Sequence, residues 1–471
     1  MLSPLTDFFF LIIFLLLATT SMVLHFAWSH VKQIRQTSAD WRETVEEIKK
    51  YKKLFLFFFG LTLLIYLGCY FTVKLHWQAH VMEWLHLILR WAHVLFGIAW
   101  IGASFYFIFL ENSLNRTENL REELAGNLWA IHGGGFYYVE KYKSAPAEIP
   151  KHLHWFKYEA YFTWLTGMML LALVYFMNAK AVMIDTAVMN IAPGAAIAIA
   201  VTVMLVGWLL YDGMCRSTLL QKKKLFGTIG LVIVVLLAYL LTHVLSGRAA
   251  FMLVGALLGT IMAGNVFFCI IPSQKALVAA AKANKPVNPE LGKVAGLRSL
   301  HNNYITLPVV FIMISNHFPV TYGTSANWII LAGLIIASVA VRHFINLYEK
   351  GIYTKWMIPF ATVVMIALVI VTAPQPKRPA SELPPVSFLQ VQPILQKRCT
   401  SCHSSAPTDD VTTIAPNGIM FDTPEEIKKH ADRILVRAVQ TSTMPQGNKT
   451  EITEQERELI GVWIEQGAKV N

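Results

Sequence analysis

Apolar runs of a length suited to a lipid bilayer dominate the chain up to about residue 373. A helix needs about 20 predominantly apolar residues to span the hydrocarbon core. Ten runs meet or approach that length, at 8–28, 54–73, 85–110, 160–178, 192–211, 226–245, 249–271, 303–318, 327–347 and 356–373. The pattern predicts an all-α, polytopic bundle of about ten membrane-spanning helices. The run at 303–318 is the shortest of them.

The pattern changes in the Pro-rich stretch TAPQPKRPASELPP at 372–385. Beyond it the sequence has the mixed composition of a soluble domain, in which 388–398 and 451–470 read as an opening and a closing amphipathic helix. We therefore predict four parts, at 1–80 (a two-span extension), 81–373 (a membrane domain), 374–386 (a linker) and 387–471 (a soluble domain).

Composition supports a membrane protein. The chain is 55% hydrophobic and 15% charged, whereas soluble domains carry roughly 25% charged residues. The net charge of +11 lies mostly in alternate short loops, at 29–53, 212–225, 272–302 and 348–355. Because cytoplasmic loops are enriched in Lys and Arg, this surplus indicates membrane topology and not nucleic-acid binding.

The loop charges predict an orientation. With the basic loops in the cytoplasm, both termini lie outside, which places the soluble domain in the periplasm of a bacterial inner membrane. Loop 111–159 is nearly neutral, and parity alone assigns it to the cytoplasm. The run at 8–28 could also be a cleaved signal peptide, but it lacks the preceding basic residues, which favours an uncleaved helix.

The segment Cys399-Thr-Ser-Cys402-His403 has the spacing of a c-type haem attachment site. Two thiols at this spacing reach the two vinyl groups of one porphyrin, and the adjacent imidazole becomes the proximal iron ligand. Met444, before Pro445, is the expected distal ligand, with Met420 as the competitor. The soluble domain then resembles a small class I-like cytochrome c with one haem c.

Other uses of the two cysteines are a disulfide, half of a zinc site or a redox dithiol. Zinc needs further Cys or His ligands, and after His403 only His430 remains in this domain. A thioredoxin-like dithiol needs a βαβ context, which the sequence does not indicate. Haem c is therefore the preferred interpretation.

Ionisable residues at bilayer depth are functional candidates because burying them is costly. His93 lies within an apolar run and is a candidate axial ligand of a non-covalent haem b. Two further layers of candidates are His243 and His317 near the outer side, and His301 and His343 near the inner side, with Arg298 and Arg342 close by. One or two haems b could bind there; alternatively, these histidines form hydrogen bonds at helix ends.

Loop 126–159 combines His132, three glycines, Phe136, Tyr137 and Lys141. Glycines allow a backbone to approach a ligand closely, and aromatic rings offer stacking faces. The loop is a candidate substrate site. The alternative is a re-entrant or interfacial segment whose aromatic side chains anchor at the lipid headgroups.

Three long segments resemble the PuuD-type membrane-bound urate hydroxylases of bacterial purine catabolism. They are WLHLILRWAHVLFGIAWIGASFYFIFLENSL (84–114), 126–167 and LRSLHNNYITLPVVFIMISNHFP (297–319). That family also ends in a cytochrome c domain, and its core has eight spans. The helix around His93 further resembles the haem-bearing helix of HemJ-type protoporphyrinogen oxidases, which raises the haem b interpretation.

The resemblance implies oxidation of urate to 5-hydroxyisourate, with electrons passing through haem c to a cytochrome c or a terminal oxidase. For a flat anion we expect a base, a counter-charge and a stacking face. His132 is the expected base, Lys141 the counter-charge, and Phe136 or Tyr137 the stacking face. Membrane lipid is the other expected partner. A quinol-oxidising electron-transfer subunit and a transporter fused to a cytochrome stay as alternatives.

Overall fold

The computed structural model describes residues 77–470 except 118, 147, 284, 287, 374–381, 410, 411 and 413, together with five isolated positions between 56 and 68. The predicted span 8–28, nearly all of 54–73 and most of the linker lie outside the described residues. The chain divides into two compact units, Met1–Arg90 and Trp91–Asn471. In the first unit the continuous description begins only at residue 77, and all contacts below belong to the second unit.

The helices and strands follow one another in a simple order, numbered here along the chain. They are α1 (Gln78–Ser113), β1 (Leu124–His132), β2 (Gly135–Tyr142), α2 (Tyr158–Leu170), α3 (Ala179–Val182), α4 (Pro193–Arg216), α5 (Lys223–Thr242), α6 (Gly247–Gly264), α7 (Ile271–Lys282), α8 (Pro289–Ser315), α9 (Pro319–Tyr322), α10 (Asn327–Tyr348), α11 (Met357–Val371), α12 (Phe388–Arg398), α13 (Pro424–Lys429), α14 (Ala431–Ile434) and α15 (Glu454–Glu465). Three π-helical segments, Leu171–Phe176, Asn265–Ile270 and Leu435–Gln440, continue α2, α6 and α14.

The predicted helical character is confirmed, since 68% of the described residues are helical and 5% are in strands. Among the described residues, six helices are long and apolar enough to cross a membrane, namely His80–Ser113, Tyr158–Phe176, Pro193–Arg216, Lys223–Thr242, Gly247–Lys282 and Asn327–Tyr348. The apolar helix Met357–Val371 is shorter. These helices are compatible with a membrane protein.

The fold is not all-α, because part of loop 126–159 forms an antiparallel β-hairpin. Its strands pair from Gly126 with Lys141 to His132 with Gly135. Gly133 and Gly134 form the turn at φ of +58° and +80°. Two successive positive φ angles are what a tight two-residue hairpin turn requires. These glycines therefore serve the turn, and not the approach of a ligand that the sequence suggested.

The region predicted as loop 272–302 and span 303–318 is also different. It contains α7 and the 27-residue helix α8, which begins at Pro289. Arg298, Asn302 and Asn303 are buried in α8. Hydropathy assigned Arg298 and Asn302 to the loop because they are polar, and Asn303 to the first position of the span. In the fold all three form hydrogen bonds with neighbouring helices.

Side-chain hydrogen bonds show which helix termini meet at each end of the helix bundle. At one end, Asn112 in the last turn of α1 donates to Glu349 after α10 over 2.8 Å. At the other end, Ser246 before α6 donates to the carbonyl of Val182 over 2.6 Å, and Tyr175 donates to Asn316 over 3.0 Å. We call these the 112/349 end and the 246/316 end. Of the basic loops predicted as cytoplasmic, 212–225, 272–302 and 348–355 belong to the first end, and 29–53 lies outside the described residues.

The C-terminal region has its own hydrophobic core. Its largest member, Trp463, is 1% exposed and packs with Val391 and Leu395 of α12. The predicted helices 388–398 and 451–470 are confirmed as α12 and α15. Each begins with a capping box, in which the first residue and a Gln or Glu three positions later satisfy each other's backbone amides.

This C-terminal domain packs against the 246/316 end of the bundle. A Cβ atom at Gly447 would lie 2.5 Å from the carbonyl oxygen of Ile184, and one at Gly323 would lie 2.5 Å from that of Thr441. Real Cβ atoms do not approach so closely, so both positions require glycine. The segment around Met444 is therefore in direct backbone contact with the membrane helices' connecting loops.

Candidate functional site

The CXXCH segment begins where α12 ends. The backbone amides of Cys402 and His403 both donate to the carbonyl of Cys399, over 3.2 and 2.9 Å, so the three residues form one tight turn. The His403 ring lies 5.0 Å from the Phe421 ring. Its Nδ1 atom is 2.9 Å from the carbonyl oxygen of Ile419. Donation from Nδ1 fixes the tautomer and leaves Nε2 as the atom that can bind iron.

Both the amide and the carbonyl of Met444 form hydrogen bonds. Its amide donates to the carbonyl of Arg437 over 2.9 Å, and its carbonyl accepts from Nη1 of Arg457 over 2.7 Å. Both Met444 and Cys399 pack against the core of the C-terminal domain. Met420, the competing candidate, is not among the residues that pack in or against this core, although its neighbours Ile419 and Phe421 are.

The electrostatics of the segment disfavour a reactive dithiol. Burial raises the pKa of the Cys399 thiol to about 12, whereas redox and metal-binding thiols need a lowered pKa. Burial also lowers the pKa of His403, against the hydrogen bond to Ile419, which raises it. A neutral imidazole is the form that binds haem iron, and the spacing of Cys399 and Cys402 suits two thioether bonds to one porphyrin, so these residues fit haem c.

His93 lies in a notch on α2. Its Nδ1 atom is 3.0 Å from the carbonyl of Thr163 and 3.2 Å from Oγ1 of Thr166. A Cβ atom at Gly167 would lie 2.9 Å from the ring, so glycine makes room for the imidazole. With Nδ1 engaged, Nε2 can bind a haem iron, but the same contacts also explain His93 as a helix-packing residue.

The other four membrane histidines have ordinary surroundings. His243 and His317 are exposed at the 246/316 end, and Nδ1 of His243 is 2.7 Å from the carbonyl of Tyr239. Nδ1 of His301 is 2.8 Å from the Tyr211 hydroxyl, and Nδ1 of His343 is 2.6 Å from the Tyr304 hydroxyl. Haem b binding by any of the four stays a prediction.

Four consecutive polar residues, His301 to Tyr304, form hydrogen bonds between α8 and its neighbours in the half of the bundle nearer the 112/349 end. Successive residues of a helix point about 100° apart, so the four cover the whole circumference of α8. Asn302 donates to the carbonyl of Met262 over 3.0 Å, and Asn346 donates to Oδ1 of Asn303 over 2.8 Å. Pro308 lacks an amide hydrogen for the carbonyl of Tyr304, which loosens the helix at this point.

One side of this polar layer is a closed network around Arg298. Its guanidinium donates to Asp212 over 2.7 Å and to Asn265 over 3.1 Å. Asn265 in turn donates to Tyr211 and Asn302. Asn265 is 0% exposed and begins the π-helical segment after α6, a feature frequent at functional sites.

The other side contains Arg342, which is 1% exposed. Its guanidinium carbon lies 4.1 Å from the centroid of the Phe105 ring. Buried atoms without a hydrogen-bond partner among the described residues cluster on this side, namely Nε and Nη2 of Arg342, Nδ2 of Asn303 and Oδ1 of Asn346. An unsatisfied buried polar atom costs about 1–3 kcal/mol, so this group is unusual.

The structure does not bring the predicted substrate residues of the hairpin around one point. His132 and Tyr137 share a face of the hairpin with Lys141. Lys141 lies six residues beyond the partner of His132, which is about 20 Å along the strand at about 3.3 Å per residue. Lys141 also pairs with Glu111. One purine-sized ligand cannot contact both ends, and a catalytic role for His132 stays a prediction.

The opposite face of the hairpin is apolar. Trp129, Ile131, Phe136 and Tyr138 alternate onto it, and Phe136 is 77% exposed. Phe136 therefore lies on the other side of the sheet from His132 and Tyr137. Aromatic residues in such a position are typical of segments that rest at lipid headgroups, which favours the interfacial interpretation.

Sequence reasoning noted Arg298 and Arg342 beside histidines but gave neither a role, and it missed Asn303 and Asn346. The available signal was a run of polar residues, HNNY, inside an otherwise apolar region. Which of these side chains lacks a partner depends on contacts between distant helices, and no local pattern encodes it.

The fold and these sites define a helical protein with several membrane-length helices and a separate C-terminal domain that carries a CXXCH segment. The family described as Urate oxidase N-terminal matches residues 79–373. This match covers more than half of the chain, and the protein belongs to that family. A urate-related oxidoreductase function follows at this coarse level. The comparisons with curated proteins and with solved structures gave no match.

Proposed function

We propose that the protein oxidises urate to 5-hydroxyisourate within its membrane domain and passes the electrons to haem c in its C-terminal domain. The observation that carries this proposal is the juxtaposition of a urate oxidase family domain, over residues 79–373, with a CXXCH segment in the same chain. The hydrogen bond that fixes the His403 tautomer and the hydrogen bond to the Met444 carbonyl support the transfer of electrons to haem c.

The reaction balances without molecular oxygen. Urate and one water give 5-hydroxyisourate, two protons and two electrons. When covalently bound at Cys399 and Cys402, haem c supplies a one-electron acceptor with His403 and Met444 on its iron. Two electrons per urate therefore need either two chains or a second acceptor in the same chain.

A second acceptor is also required by geometry. If the basic loops face the cytoplasm, the 112/349 end is cytoplasmic and the C-terminal domain is periplasmic. At 1.5 Å per residue, Arg342 is then about 22 Å from the start of α10, which faces the C-terminal domain, and this is too far for one productive electron transfer step. We propose a haem b with His93 as one ligand as the intermediate carrier. A cytochrome c or a terminal oxidase would accept the electrons from haem c.

The contact between the C-terminal domain and the bundle supports this route. The loop that carries Met444 abuts Ile184 and Gly323 at the 246/316 end. A haem c bound at Cys399 and Cys402 with Met444 as a ligand would therefore be near the membrane domain. The hydrogen bonds to the backbone of Met444 would hold its thioether in place.

The experiment uses membranes that contain the full-length protein, with ferricyanide as the final oxidant and without O2. In H2¹⁸O we expect urate to be consumed and one ¹⁸O to enter 5-hydroxyisourate. The Cys399→Ala/Cys402→Ala double variant should lose haem staining and this turnover. Oxygen-dependent turnover that survives the double variant would overturn the proposal. Haem c reduction by a quinol but not by urate would favour a quinol-oxidising subunit instead.

A further inference from the structure

We propose that Arg342, Asn303 and Asn346 form the binding site for the planar urate anion, in the half of the bundle nearer the 112/349 end. The inference rests on the proposed function and names its substrate site. Arg342 lies in the apolar helix α10 and is 1% exposed. A charge at such depth is costly unless it has a partner.

The free edge of Arg342 has the shape of a two-point anion receptor. Its Nε and Nη2 atoms are both buried and without a hydrogen-bond partner among the described residues. These two N–H groups form the side-on fork of a guanidinium, whose parallel donors match two adjacent acceptor atoms of an anion. The Phe105 ring, 4.1 Å from the guanidinium carbon, supports the plane of the fork.

The two asparagines add a complementary polar edge. Asn346 lies four residues after Arg342, on the same face of α10. Its Nδ2 donates to Oδ1 of Asn303 over 2.8 Å, which leaves Nδ2 of Asn303 and Oδ1 of Asn346 buried without partners. If the amide oxygen and nitrogen of both asparagines were exchanged, the pair would still have one donor and one acceptor without a partner. Such a pair complements the N–H and C=O of a lactam.

Urate combines both features. At neutral pH it is a flat monoanion, in which a ring nitrogen lies beside an exocyclic oxygen as two adjacent acceptors, and its other edges are lactams. A phosphate or a fatty-acid carboxylate would occupy the fork but leave the asparagine pair unpaired. A haem propionate would do the same. The joint chemistry of the fork and the amide pair therefore selects a cyclic, anionic imide or lactam.

The test is equilibrium dialysis of radiolabelled urate against purified full-length protein, reduced with dithionite so that no turnover occurs. We expect about one bound urate per wild-type chain. Arg342→Gln should bind at least about 30-fold more weakly, as expected for removing one partner of a buried charge pair. Arg342→Lys keeps the charge but loses the fork, and we expect about a tenfold loss. Lys293→Gln is the matched control, since it removes an exposed charge near the same end.

The outcomes separate the site from the function. If the wild-type protein neither binds nor oxidises urate, the proposed function fails. If the wild-type protein oxidises urate and Arg342→Gln binds it equally well, only the site is overturned. A haemochrome spectrum of each variant is part of the measurement. Loss of b-type haem from Arg342→Gln with urate binding unchanged would identify Arg342 as a propionate partner and overturn the site.

Discussion

Arg298 and Arg342 have the same side chain and are almost equally buried, yet their surroundings differ. Arg298 is 4% exposed and Arg342 is 1% exposed. Arg298 donates to Asp212 and Asn265 and lies over the Tyr211 ring. Arg342 has Phe105 beneath it and two donors without partners among the described residues. Burial alone does not distinguish structural from functional arginines, but the partners of each donor do.

The difference predicts that mutation of the two arginines impairs different properties, stability in one case and ligand binding in the other. Removing Arg298 leaves Asp212 with the exposed Arg216 as its remaining cationic partner and takes a hydrogen bond from the buried Asn265, so the cost falls on stability. Removing Arg342 leaves no protein group unpaired that was paired before, so the cost falls on ligand binding. The following predictions address that contrast, from the largest expected effect to the smallest.

The largest effect is expected from Arg342→Gln on urate-driven reduction of haem c. Loss of a buried charged partner costs about 3 kcal/mol, which is roughly a 100-fold decrease in kcat/KM. The measurement is stopped-flow absorbance of the haem c band after mixing with urate in the absence of O2. Reduction by dithionite should be unchanged, and an unaltered urate rate would remove Arg342 from the site.

Arg298→Gln should instead lower the stability of the folded protein. Because Arg216 still pairs with Asp212, the loss is that of hydrogen bonds to a charged group, about 1.5–3 kcal/mol. Thermal unfolding in detergent should show a lower Tm for this variant. The double variant Arg298→Gln/Asp212→Asn should recover most of the loss, because the only charge that then loses its partner is Arg216, which is exposed to solvent. A stable Arg298→Gln protein with a 100-fold lower kcat/KM would contradict the assigned contrast.

Asn303→Ala should have an intermediate effect. Removal of one neutral hydrogen bond to the substrate is worth about 0.5–1.5 kcal/mol, or roughly 2- to 12-fold in urate affinity. The check is the KM for urate, with the Tm as the control for a general packing defect. A change in Tm without a change in KM would place Asn303 in the scaffold only.

The smallest effect is expected from His132→Ala, at the exposed end of β1. If the substrate binds at Arg342, the variant should retain urate turnover within about twofold, since surface substitutions usually change little. Steady-state assays in membranes provide the measurement. A large loss of turnover with normal haem content would favour the hairpin as the catalytic site.

Much of the helical framework could be predicted from the sequence, because long apolar runs have one stable solution in a bilayer. Runs 192–211 and 327–347 correspond to α4 and α10. The hairpin was missed because Gly133 and Gly134 were interpreted as a ligand approach and not as a turn, and α8 because its polar residues interrupt the apolar pattern. The hairpin is local in sequence, whereas the polar residues of α8 are buried by contacts with distant helices.

The candidate sites differ in the same way. Cys399, Cys402 and His403 are neighbours in the chain, so their spacing alone indicates the chemistry. Arg342, Asn303 and Phe105 come from three helices that meet only in the fold. A sequence pattern can show that Arg342 is at an unusual depth, but only the structure shows that its hydrogen-bonding groups lack partners.

The most direct test of the account is an anaerobic urate titration of the purified, oxidised protein, followed by the reduction of haem c. We predict that wild-type haem c is fully reduced, with two electrons delivered per urate consumed. With one haem b present, about one urate per chain should suffice. Arg342→Gln should reach the same extent of reduction roughly 100-fold more slowly. Wild-type haem c that stays oxidised with excess urate would contradict the account.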